Sequence, residues 1–222
     1  MSPRAYRMDK RHVARDLTRA RILDAARDLL TDDATRHLSM DAVARRADVS
    51  RLTIYYQFGS RAGLLEALYD HLATRGNIQR TAEVFQASTP SMALGIMVST
   101  FVGFWSTDPS AVRRLRAMAV LDGEIQRGMR ARDARRVHLA REILKQATHT
   151  IRVDAQQAQA AEVLGMLTSF ETYDTLARSG QTDNQIIATL KSLAQTALAP
   201  FVSPTPAPRS VSDMHGRRKS RA

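Results

Sequence analysis

Residues 38–59, LSMDAVARRADVSRLTIYYQFG, constrain the fold of this chain more than any other stretch. They read as two short helices joined by a tight turn. Ser39 and Ser50 each stand where a helix begins, and a serine hydroxyl there takes up a free backbone N–H of the first turn. Met40, Val43, Ala44 and Ala47 recur at helical spacing, so the first helix has an apolar face. Asp48 falls at the turn, and aspartate tolerates a left-handed backbone better than most non-glycine residues. The second helix covers residues 51–57. Ile54 and Phe58 face inward with Val49, which leaves Arg51, Thr53, Tyr55, Tyr56 and Gln57 outside. These side chains make a poor core but suit DNA. Arginine pairs in bidentate fashion with guanine, glutamine does so with adenine, and Thr or Tyr hydroxyls donate to phosphate oxygens. A helix-turn-helix lays such a helix in the major groove, its N-terminal residues at the base edges.

Helices flank the pair on both sides. Ile22, Ala25, Ala26, Leu29 and Leu30 form an apolar stripe upstream. Downstream, Gly59 breaks the chain, and Ser60 caps a helix that opens with Arg61 and carries Leu64, Leu65, Leu68 and Leu72 on one face. Ile22-Leu23-Asp24-Ala25-Ala26, then Ser39-Met40-Asp41-Ala42-Val43-Ala44, then the run from Val49 to Arg61 fall in an order that resembles the TetR family of bacterial transcriptional regulators, over roughly residues 18–69. Three positions depart from the family's habit: Asp48 stands where glycine is common, Leu52 where a smaller residue is typical, and Arg61 where lysine is common.

The resemblance implies an all-α protein of about nine helices: a three-helix helix-turn-helix head, then a larger ligand-binding and dimerisation body. It implies a homodimer reading a palindromic operator in double-stranded DNA, with repression the usual outcome and a small-molecule effector bound in the body. Ser39, Met40, Ser50, Arg51, Leu52, Thr53, Tyr55, Tyr56, Gln57 and Arg61 are the expected DNA-facing set. Within it, Arg51 and Thr53 with Tyr56 or Gln57 would read bases, while Ser39, Tyr55 and Arg61 would hold phosphates. Arg61 also sits in the first turn of its helix, where a cation opposes the helix dipole and phosphate is the natural partner.

Composition agrees with this frame. Apolar residues make up 44% of the chain and aromatics 5%, and β-branched runs are scarce, which favours an all-helical fold. There is no cysteine, so disulfides and thiolate metal sites are excluded, and a cytoplasmic setting is expected. No apolar run approaches 18 residues, and the charged N-terminus lacks the core of a secretory signal. The net charge of +11 is uneven. Residues 1–80 carry 15 basic and 10 acidic side chains, the last fourteen carry five and one, and the middle is near neutral. Positive charge thus gathers at the DNA-reading end and in the tail.

The sequence divides into a basic arm with Arg4, Arg7 and Lys10 (residues 1–12), the head (13–60), a connecting helix and linker (61–87), the body (88–200) and a Pro-rich basic tail expected to be disordered (201–222). The first helix should begin between residues 10 and 18. Pro90 opens a segment apolar nearly all round, the expected central helix. Arg113, Arg114 and Arg116 are expected outside, Leu121 inside, and the arginine-rich stretch 127–141 as a solvated face. Met97, Phe101, Trp105, Met118, Met166 and Phe170 are the candidates for lining an effector pocket, which their apolar character would suit to a hydrophobic compound. One helix from Asp154 to about 178 and a last one capped by Asp183 resemble the family's dimerisation pair. Val163, Leu167, Phe170, Ala177, Ile186, Leu190, Leu193 and Ala197 are the candidates for that interface. Six scattered histidines offer no metal spacing, no cofactor loop occurs, and no GxSxG or HExxH motif supports an enzyme. The competing readings are an architectural DNA-binding protein without sequence preference and an all-helical small-molecule-binding protein or enzyme.

Overall fold

The structure, a computed structural model, describes residues 3–32, 38–148 and 154–201, with side chains described from residue 12 onward. The proposed tail lies outside the described residues beyond Phe201. The described chain is helical: ten α-helices and two short 3-10 segments, with no strand among the described residues. The α-helices are α1 (Pro3–Thr31), α2 (Met40–Arg46), α3 (Arg51–Phe58), α4 (Arg61–Arg75), α5 (Pro90–Thr107), α6 (Pro109–Leu121), α7 (Gly123–Thr148), α8 (Ala155–Leu167), α9 (Phe170–Arg178) and α10 (Asp183–Leu198).

Helix α1 reaches back to Pro3, well before the expected start between residues 10 and 18. No glycine or proline interrupts residues 4–31, and Pro3 is tolerated in a first turn. Periodicity was the wrong criterion here, because an exposed helix needs none: Val13 and Leu17 are solvent-facing.

In the head, α2 packs against α1, and α3 against α2 and α4. Ile22, Ala26, Val43, Ile54, Leu64 and Leu68 are fully buried between them. The capping serines act as their positions suggest. Ser39 Oγ accepts from the Ala42 N–H at 3.1 Å, Ser50 Oγ from Thr53 at 3.0 Å and Ser60 Oγ from Gly63 at 3.0 Å. Asp48 adopts a left-handed backbone, φ 49°, and Val49 N–H then donates to Ala44 O at 3.0 Å, closing α2. A glycine is therefore unnecessary at this turn.

Gly76 and Asn77 end α4, Asn77 in the left-handed region at φ 58°. The weak helical segment expected next is a 3-10 segment, Ile78–Gln86. Helix α5 is central, packed against that segment, α7 and α10, and buries Leu94, Met97, Val98, Phe101, Phe104 and Trp105. Thr89 caps it, with Pro90 in its first turn.

The single helix expected from Asp154 to about 178 is two. Thr168 and Ser169 separate α8 from α9 without any glycine or proline. Ser169 caps α9, and Trp105 Nε1 donates to Thr168 O at 3.0 Å in the interior. The indole thus takes up a carbonyl released by the ending helix. For the last helix, Thr182 rather than Asp183 is the cap, in a reciprocal capping box with Gln185.

Candidate nucleic-acid interface

Helix α3 buries Ile54 and turns four residues outward. Leu52 is 77% exposed and Tyr56 86%, one helical turn apart, and Arg51 and Tyr55 are exposed beside them. Arg51 donates to Tyr55 Oη at 3.2 Å and lies 3.3 Å from the Asp41 carboxylate on α2. These two partners, Tyr55 first, raise its pKa above the ordinary arginine value and hold the guanidinium over the mouth of the α2–α3 turn. Ser50 and Thr53 share a hydroxyl–hydroxyl hydrogen bond of 2.8 Å at the helix start. Gln57 is half-buried, and its backbone carbonyl accepts from Arg19 Nη1 at 3.1 Å. Arg19 also stacks over the Phe58 ring, 4.4 Å from its centre. Ser39 is exposed at the cap of α2.

Two members of the expected set are placed differently. Met40 is buried, because the first residue of α2 points into the head's core. Arg61 is not free to wait for a phosphate: it donates to Asp122 Oδ2 at 3.2 Å and to Leu38 O at 3.3 Å. Asp122 closes α6 and begins α7, and its carboxyl is held below the usual range, chiefly by the N–H of Ile125 and with a contribution from Arg61. At the other end of α6, Asp108 caps the helix and accepts from Arg27 Nε at 2.6 Å. Helix α6 is thus tied to the head at both ends, to α1 through Arg27 and to α4 through Arg61.

In the body, α4, α5, α7 and the 3-10 segment line an open cavity of about 410 Å³. Of the six expected lining residues, Phe101 and Trp105 are in its wall. Phe170 is buried behind Trp105, its ring edge-on at 5.6 Å, and Met97 is in the core. Met118 is half-buried elsewhere, and Met166 is 58% exposed on the outside of α8. Sequence reading missed Tyr69 and Phe104, and above all the arginines of α7. Arg136 is 7% exposed and donates to Gly165 O and Asp133, while Arg132 lies over Tyr69, 4.8 Å from the ring centre. The stretch expected as a solvated face therefore turns part of itself inward. The only signal available was spacing: residues 132, 136 and 139 lie on one helical face. Arg116, expected outside, is mostly covered between Asp133 and Glu171, and Leu121, expected inside, is 92% exposed.

The candidate dimer residues also divide. Leu167, Phe170, Ile186 and Leu190 are buried within this one subunit, since α8 closes against α7 and α10, and α9 and α10 close against α5. Val163 and Leu193 stay exposed, and Ala177 and Ala197 half-buried.

Residues 22–68 match the family described as bacterial regulatory proteins, tetR family. That span contains the capped helix pair, the Asp48 turn and the exposed face of α3. The head is similar to a TetR-family N-terminal domain. A 62-residue stretch of the chain is 45% identical to the HTH-type transcriptional regulator AlkX of Mycobacterium tuberculosis, covering 28% of this chain and 29% of AlkX. The chain therefore matches under a third of that relative's length. Past the head the likeness is one of fold alone. A TetR-like transcriptional regulator from Rhodococcus sp. RHA1 superposes with a TM-score of 0.63 at 23% identity, over 82% of this chain and 96% of that one. AibR, solved in complex with isovaleryl coenzyme A and operator DNA, superposes with a TM-score of 0.58 at 21% identity, over 79% of this chain and 97% of that one. Among the described residues, no helix is long and apolar enough to cross a membrane, and no group of three or more His, Asp or Glu is placed to hold a metal.

Proposed function

We propose that this chain is a sequence-specific DNA-binding transcriptional regulator, working as a homodimer on a palindromic operator and acting as a ligand-responsive repressor in the cytoplasm. The observation that carries the reading is the outer face of α3. Arg51, Leu52, Tyr55 and Tyr56 are held out by a helix whose inner face is anchored by Ile54. Rigid presentation of polar and aromatic groups on an N-capped helix suits base readout. On this reading Arg51 contacts a base, Leu52 offers a thymine methyl its partner, and the Tyr55 and Tyr56 hydroxyls reach phosphates. Thr53 and Gln57, being partly covered, contribute less than their residue types suggest. Ser39 and Ser50 serve as caps whose helix N-termini face the backbone phosphates.

Two-fold symmetry sets two copies of α3 about one DNA turn apart, roughly 34 Å. Among the candidate dimer residues, Val163 and Leu193 are the exposed apolar side chains available to a second subunit. AibR, of similar fold, was solved with both isovaleryl coenzyme A and operator DNA, which supports an effector-bound state here too. The body cavity is the place for it, and the two-ended attachment of α6 gives it a route to the head. The effect is allosteric if the ligand binds two head arrangements with different affinity.

Selection from random duplex DNA with the purified protein tests the reading. An inverted repeat is the expected result. Enrichment of no sequence, with tight salt-dependent binding, would instead indicate an architectural protein, and no DNA affinity at physiological salt would end both readings.

A further inference from the structure

The body cavity is lined by apolar and cationic side chains together. Phe101, Phe104 and Trp105 of α5 and Tyr69 of α4 supply the aromatic surface. Helix α7 contributes Arg132, over the Tyr69 ring at 4.8 Å, Arg136, over Phe101 at 5.8 Å, and Arg135, and the only carboxylate in the lining is Asp70. The three guanidinium groups differ in how well they are satisfied. Arg136 is engaged with Asp133 and Gly165 O. Arg132 donates to Asp70 at 2.7 Å, but its Nε is buried with no hydrogen-bond partner. Arg135, exposed at the rim, has no ion pair or hydrogen bond among the described residues.

The unpaired charge of Arg135 at the rim repels cations and attracts anions. We infer that the cavity takes an organic carboxylate, its apolar body against Phe101, Phe104 and Trp105 and its anionic head at Arg135, beside Arg132. This deepens the effector reading above and rests on it, and it replaces a merely hydrophobic ligand with an amphiphilic anion. A volume of about 410 Å³ suits a small ligand. The anion would also compete with Asp70 for Arg132. That ion pair ties α7 to α4, whose first residue is Arg61, so the ligand's charge acts on a helix continuous with the head.

Trp105 is the chain's single tryptophan and stands in the cavity wall, so its emission reports occupancy directly. The probes are octanoate, 1-octanol and octylamine, which share an alkyl chain and differ in head group. Octanoate should shift the emission saturably and bind about tenfold tighter than 1-octanol, with octylamine weaker still. Arg135→Gln, at an exposed site where the fold does not depend on the side chain, should weaken octanoate about tenfold and leave 1-octanol unchanged. Arg135→Lys should restore most of the loss. The inference is overturned if octanoate gives no saturable change, if 1-octanol or octylamine binds as tightly, or if Arg135→Gln affects octanoate and octanol alike. The duplex selection is independent of this readout. A protein that selects an inverted repeat yet ignores octanoate loses this inference and keeps the regulator reading, and one that binds octanoate but selects no DNA does the reverse.

Discussion

Arg51 meets solvent with two partners already in place, the Asp41 carboxylate and the Tyr55 hydroxyl. This pre-sets the guanidinium and lowers the entropy lost when it docks on a base, while asking DNA to compete with a carboxylate. Arg51→Ala should relax discrimination at about one base pair and cost about 1–3 kcal/mol per half-site. Competition gel shifts with single-base operator variants measure it, and an equal loss on operator and random duplex would contradict the assignment. A second residue-scale prediction concerns pH. Burial pushes the Tyr69 phenol up to about 12, with Arg116 the largest opposing influence, against about 10 for an unfolded tyrosine. Below about pH 10 both states hold the proton and nothing changes; between about 10 and 12 the unfolded chain ionises first, so stability falls as pH rises. Tyr69→Phe should flatten that fall in thermal midpoints, leaving a residual slope from Tyr173, also raised to about 12 chiefly by burial. Unchanged slopes would refute it. At this scale the sequence is legible where a residue's chemistry is local: the capping serines and the left-handed Asp48 follow from their neighbours. It is not legible where a partner lies far along the chain, which is why Arg61 with Asp122, and Arg132 with Asp70, give no sign of their engagement.

At the scale of elements, boundaries follow from caps and breakers wherever these are present. Pro90, Asp108 with Pro109, and Gly59 with Ser60 all mark real ends. The break between α8 and α9 has a capping serine, Ser169, but no glycine or proline, and the Thr168 carbonyl beside it is taken up by Trp105, more than sixty positions away. Gly76 makes the converse point. Its backbone is ordinary, yet a Cβ there would come within 2.7 Å of Phe104 Cα, so the residue is small to let α4 and α5 meet. Gly76→Ala should therefore destabilise the protein by about 1–3 kcal/mol, through overpacking rather than backbone strain. Urea denaturation checks this: a midpoint within error of the parent protein would show that the contact yields freely.

For the molecule as a whole, the sequence does not tell which apolar stripes of the later helices close within the chain and which stay open. Stripes on α8 and α10 look alike whether they close within one chain or between two, and only packing separates Ile186 and Leu190 from Val163 and Leu193. Leu193→Glu, an exposed change, should leave the monomer folded and shift sedimentation from dimer to monomer, with operator affinity falling in parallel. A variant that stays dimeric would move the interface elsewhere. Helix α6, tied to α1 through Arg27 and to α4 through Arg61, carries a consequence for ionic strength. Its Asp108 is almost wholly covered, whereas Asp122 and Arg61 both face water. Counterions screen the solvent-facing pair first. Rising salt should then release one end of the strut and leave the other fastened, turning it into a pivot, so that electrolyte alters the protein's internal mechanics as well as its attraction to phosphate.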